Sequence, residues 1–88
     1  MEEKNRVLAM YTEETLNVFK EHAAMERATD PNEQAARREL FAEAYGRRQA
    51  LGRVLKEVYG VTGDALQKTI DNLWDKFKHE QKKNGATS

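Results

Sequence analysis

The residue with most chemical consequence in this chain is an arginine placed among apolar side chains. Arg48 lies seven residues from both Phe41 and Leu55, in the middle of an apolar stripe rather than on its flank. A guanidinium keeps its proton inside a protein and must find acceptors. Two placements satisfy it. In one, the stem packs against Tyr11 while the head reaches Glu14, a backbone carbonyl or solvent. In the other, Arg48 forms a polar layer at a partner interface and fixes its register, as polar core residues do in coiled coils. His22 holds a comparable mid-stripe position upstream, with Glu26 one turn on. One histidine and one glutamate are too few ligands for a metal, and no second pair matches them, so His22 reads as a core or interface histidine.

The remaining titratable residues carry no reaction. Glu13, Glu14, Glu39 and Glu43 stand among lysines and arginines at helical spacing, which is ordinary surface pairing. There is no cysteine nucleophile, no glycine-rich phosphate loop ahead of a helix and no histidine pair at metal spacing. With two histidines in the chain, acid–base chemistry would need a carboxylate environment that a core this small does not build. The expectation is a protein that is not an enzyme and holds no cofactor. What it offers instead is binding chemistry. Tyr45, Tyr59 and Trp74 sit at stripe edges, and tyrosine, tryptophan and arginine dominate interface energies. Gly46 points away from the stripe, where core packing does not explain it; a solvated position, a bend and a place for a partner's backbone or ring are the alternatives. Tyr45, Gly46, Arg48, Tyr59 and Trp74 are therefore the residues expected nearest a protein partner.

These residues need long helices to hold them. Val7, Leu8, Tyr11, Thr15, Val18, Phe19, His22 and Met25 recur at spacings of three and four, one face of a helix over about 3–28. Asp30 is an N-cap, Pro31 suits the first helical position and Glu33 completes a capping-box arrangement. Leu40, Phe41, Ala44, Arg48, Leu51, Leu55, Val58 and Tyr59 then keep the period over 31–59. Gly60 is a left-handed stop and Thr62 an N-cap for a third helix over 63–80, with Leu66, Ile70, Leu73 and Phe77 at heptad spacing. Beyond Phe77 the apolar residues vanish, and 79–88 reads as a frayed polar tail.

The fold class is thus all-α: a single helical domain over 1–78, built on a long antiparallel helical hairpin plus a shorter C-terminal helix. A turn near Asp30 places Phe41 level with Val18 and Phe19, Leu51 and Leu55 with Leu8, and Arg48 with Tyr11 to Thr15. "EAYG" at 43–46 recurs as "EVYG" at 57–60. The residues after Gly46, "RRQAL", are strong helix formers with no N-cap among them, so the second helix is expected to run through unbroken. Tyr45 and Tyr59 then share a face. Gly46 and Gly52 each cost ~1 kcal/mol relative to alanine in such a helix. Gly52, at the stripe edge, lets a helix backbone or a large ring come close.

Composition narrows the partners. A chain of 88 residues with no cysteine has neither disulfide nor cysteine-ligated zinc to supplement its core, and association with a second chain is the remaining common route. A homo-oligomer, in the first instance a dimer, is expected. Fifteen basic residues balance fifteen acidic ones, which weakens non-specific nucleic-acid or membrane binding. No apolar run reaches the ~18 residues of a bilayer span, and the acidic, amphipathic start is unlike a signal peptide, so the expected location is cytoplasmic. The function expected is that of a small protein-protein interaction module, acting as a regulator, adaptor or inhibitor.

The alternative is nucleic acid. The segment "LKEVYGVTGDALQKTIDNLW" resembles the turn of helix-turn-helix regulators, with Gly60 in the turn and Val61, Leu66 and Ile70 as packing residues. The resemblance implies a DNA-binding regulator using 49–74, with Gln67, Lys68 and Asn72 as base or backbone contacts. Arg37, Arg38, Arg47, Arg48, Arg53 and Lys56 supply the basic surface beside it, although the arginines spread around their helix. Asp64, Asp71 and Asp75 on the reading helix would repel phosphate.

Overall fold

Asp30 and Gly60 set the two corners of the chain. The computed structural model describes residues 2–87, with side chains through residue 82. It contains α1 (Glu2–Arg27), α2 (Pro31–Glu57) and α3 (Gly63–Thr87). The Asp30 carboxylate accepts from the backbone N–H of Asn32 at 3.1 Å, capping α2 directly after Pro31. The side chain that closes this turn is Gln34, whose amide donates to the Ala28 carbonyl at 3.2 Å; the capping-box pattern had assigned the closing role to Glu33. At the second corner Gly60 adopts φ +69°, and the chain folds back so that the Val61 N–H reaches the Leu55 carbonyl at 2.9 Å. Thr62 then caps α3, its hydroxyl accepting from the Ala65 N–H at 3.1 Å.

Two boundaries differ from expectation. α2 ends at Glu57 rather than 59, because Tyr59 turns into the core beside Gly60. α3 continues past 80, through the stretch expected to fray, as far as Thr87. Lysine, glutamate and glutamine after Phe77 are good helix formers, and the helix propagates without an apolar face to dock. α2 itself is unbroken across Gly46 and Gly52.

The core forms where the three helices meet. Tyr11, Leu55 and Leu66, one from each helix, are buried against one another, with Val7, Leu8, Leu51, Tyr59, Val61 and Ile70 packed around them. The expected approach of Leu51 and Leu55 to Leu8 is thereby met. Thr15 is fully enclosed between the helices, and its hydroxyl donates to the Tyr11 carbonyl at 2.8 Å, so its burial leaves no polar atom unpaired. α1 packs along α2 for most of its length and on α3 over a shorter stretch, while α2 and α3 barely touch.

Phe19 explains much of that asymmetry. It was expected to meet Phe41 across the hairpin, but it faces α3, 5.0 Å from the ring of Trp74 and 5.7 Å from that of Phe77, centroid to centroid. Phe41 lies instead against His22 at 5.6 Å. α1 thus serves two neighbours, with Tyr11, Thr15 and Val18 facing inward and Phe19 turned to α3. Among the described residues no helix is long and apolar enough to cross a membrane.

Candidate functional site

Because α2 and α3 diverge from their shared corner, a groove of about 500 Å³ opens between them. The α2 wall carries Tyr45, Arg48, Gln49, Arg53, Lys56 and Glu57; Gly63, Leu66, Gln67 and Ile70 form the α3 wall, and Tyr11 and Gly52 lie at its base. The helical period dictates the α2 wall. Positions 45, 49, 52, 53 and 56 fall together along one flank of the stripe, spaced by about one turn.

Gly52 is what lets this junction close. A Cβ there would lie 3.3 Å from Cε2 of Tyr11 and 3.8 Å from Cδ1 of Leu66. The close approach of a large ring expected at Gly52 is therefore present, and the ring is that of Tyr11. Burial pushes the Tyr11 phenol above its ordinary pKa of 10.0, while the positive charge of Arg48 pulls it down to a smaller degree.

Arg48 sits between these features. Its guanidinium carbon stands 4.9 Å from the centroid of the Tyr45 ring, and the Tyr45 hydroxyl accepts from the Gln49 amide at 3.1 Å, which fixes the ring. The Nε of Arg48 is enclosed and finds no hydrogen-bond acceptor among the described residues. The acceptor proposed for it, Glu14, is taken by its neighbour: Arg47 Nε donates to the Glu14 carboxylate at 2.9 Å. One position along a helix rotates a side chain by about 100°, and that rotation carries Arg47 to the flank where Glu14 stands and leaves Arg48 over Tyr45.

The other residues singled out from the sequence divide among several places. Tyr45 is 41% exposed and Trp74 40%; Trp74 is one turn beyond Ile70 on α3. Gly46 is open, with no atom within 4 Å of where its Cβ would be. Tyr59 is not at the groove. It lies past the end of α2, half-buried on the core, with its hydroxyl 3.5 Å from the Glu3 carboxylate. The shared face inferred from "EAYG" and "EVYG" is lost with the helix end. The basic set is dispersed too. Arg37 pairs with Glu21 at 3.7 Å and Arg47 with Glu14 on another flank. Arg53 and Gln67 line the groove, where the Gln67 amide donates to Asp71 at 3.0 Å. Arg38 and Asn72 are exposed, and Lys68 shares the outer flank of α3 with Asp64 and Asp71. His22 and Glu26 meet at 3.5 Å, and no group of three or more potential metal ligands occurs among the described residues.

Sequence reasoning missed Gln49, and it counted Lys56 in the basic surface of α2 without grouping it with Tyr45 and Arg48. The signal was present in the row 45-49-53-56, which flanks the stripe and holds no carboxylate, but nothing in the sequence said that α3 would leave that flank open. Compared with family models, with curated proteins and with solved structures, the chain matches none.

Proposed function

We propose that this chain is a small helical protein-protein interaction module, a regulator, adaptor or inhibitor that takes up its partner where α2 and α3 part. The observation that carries this reading is the groove itself, which keeps Tyr45 and Arg48 at an open surface. Tyrosine, arginine and tryptophan are the residue types on which interface energies concentrate, and a hairpin with a groove beside it is suited to receive a helix. The cytoplasm is the compartment this reading gives it.

Self-association belongs to the same reading and uses another surface. On the flank of α2 away from the groove, Leu40, Val54 and Val58 are exposed, with Met10 of α1 nearby. Positions 40, 47, 51, 54 and 58 fall at the three-four-seven spacing of a helix–helix seam. A second copy of this chain is the occupant proposed for it.

Position-specific photo-crosslinking in the cells that make the protein tests the partner reading. A photoreactive residue at Gln49 or Gln67 is expected to give a discrete protease-sensitive adduct, and one at Glu33 none. Adducts removed by nuclease, or the same adduct pattern from all three positions, would overturn it.

A further inference from the structure

We propose that the α2/α3 groove receives an acidic amphipathic helix from its partner, with a Glu or Asp carboxylate on the Arg48 guanidinium and an apolar side chain on Ile70. This rests on the reading of the chain as a protein-binding module and adds the chemistry of what it binds. Three cations, Arg48, Arg53 and Lys56, line the groove against one acid, Glu57. None of the three forms an ion pair among the described residues, whereas Arg37, Arg47 and Lys78 each do. In a chain of zero net charge, three cations without an ion-pair partner among the described residues thus share one groove with a single acid.

Arg48 gives that charge a direction. Its guanidinium lies against Tyr45, and its Nε is enclosed without an acceptor. With Nε enclosed, the two terminal nitrogens, which are not enclosed, are the N–H groups left to meet a carboxylate from outside as two parallel bonds. A helix is the form of ligand that fits the rest. From Tyr45 to Lys56 the α2 wall runs about 16 Å, or three helical turns. The groove holds about 500 Å³, room for one row of side chains rather than a whole helix. Ile70, half-buried beside the cations, supplies an apolar contact that a free inorganic anion would leave uncovered. Nucleic acid fits less well, because the other arginines of α2 are dispersed over separate flanks, Arg37 on Glu21 and Arg47 on Glu14, and extend the groove cations into no phosphate-tracking row.

The test uses the full chain, labelled with ¹⁵N, and three synthetic helical peptides. All share one leucine row and differ only in carrying Glu, Gln or Lys at the remaining positions. The Glu peptide is expected to shift the amide signals of Arg48, Gly52, Leu66 and Ile70 and to bind less tightly as salt rises. Arg48→Gln should weaken it about ten-fold or more, the loss expected for a charge-assisted pair. Arg53→Glu, at an exposed position, should weaken it without any question of folding. Equal binding of the Gln or Lys peptide at these residues would overturn the acidic assignment and leave the protein-binding reading standing. Shifts by none of the peptides would also overturn it, and protein adducts from Gln49 would then still support the broader reading. Shifts of the same residues by a DNA duplex alone would overturn both.

Discussion

At the scale of single residues, Tyr11 and the glycines make separable predictions. The folded chain holds the Tyr11 proton above pH 10, where the unfolded chain releases it, because burial raises this phenol from 10.0. The stability this confers is complete below that pH and is lost as pH rises through the folded value. Wild-type unfolding free energy should therefore fall more steeply above pH 10 than that of Tyr11→Phe; parallel curves would refute the linkage. Gly46 has a helical backbone and no atom within 4 Å of a Cβ. Gly46→Ala should gain about 1 kcal/mol, read as a rise in Tm of about 4–8 °C. If a partner packs on Gly46, the same variant loses affinity while it gains stability. At Gly52, by contrast, even a methyl group meets the Tyr11 ring at 3.3 Å, so Gly52→Val should destabilise by roughly 1–3 kcal/mol, as overpacking does.

At the scale of elements, α3 is held by a small aromatic cluster. Phe77 is buried against Phe19 and Trp74, and it is the last residue of α3 found buried among those whose side chains are described. Phe77→Ala should cost about 3 kcal/mol or more, and the emission of Trp74, the sole tryptophan, should move to the red as α3 loosens. Unchanged emission would mean that α3 is held elsewhere. The helices themselves were legible in the sequence because their signals are local: Asp30 with Pro31, Gly60 with Thr62, and apolar residues at three and four. Their mutual placement was legible only in part. An apolar residue such as Phe19 announces that it is buried without saying against which helix, and levelling the hairpin about Asp30 assigned it to α2 when α3 had the stronger claim. Arg47 and Arg48 show the same limit. Only a fixed helix rotation decides which of two adjacent arginines meets Glu14. The groove came from neither composition nor motif, since it exists because α2 and α3 diverge.

For the whole molecule, shape and association are linked. The Cα radius of gyration is 14.7 Å, against about 12 Å for a globular chain of this length, so the chain is elongated, and Met10, Leu40, Tyr45, Val54, Val58 and Trp74 stay exposed on it. Light scattering of the wild type should give twice the 10.1 kDa chain mass, and Val54→Glu with Val58→Glu should halve it. A wild type that stays monomeric at all concentrations would refute self-association through that flank. Under the proposed reading, stability and partner uptake oppose each other at Arg48. Its Nε is enclosed without an acceptor among the described residues; an unpaired buried donor weakens a free fold, and such groups are retained where function requires them. The most direct measurement is the thermal melt of Arg48→Leu beside wild type. If Arg48 is held for a partner's carboxylate, the leucine variant melts higher, by an amount on the order of 1 kcal/mol. A lower melting temperature would mean that Arg48 stabilises the free fold, and would contradict its assignment to a partner.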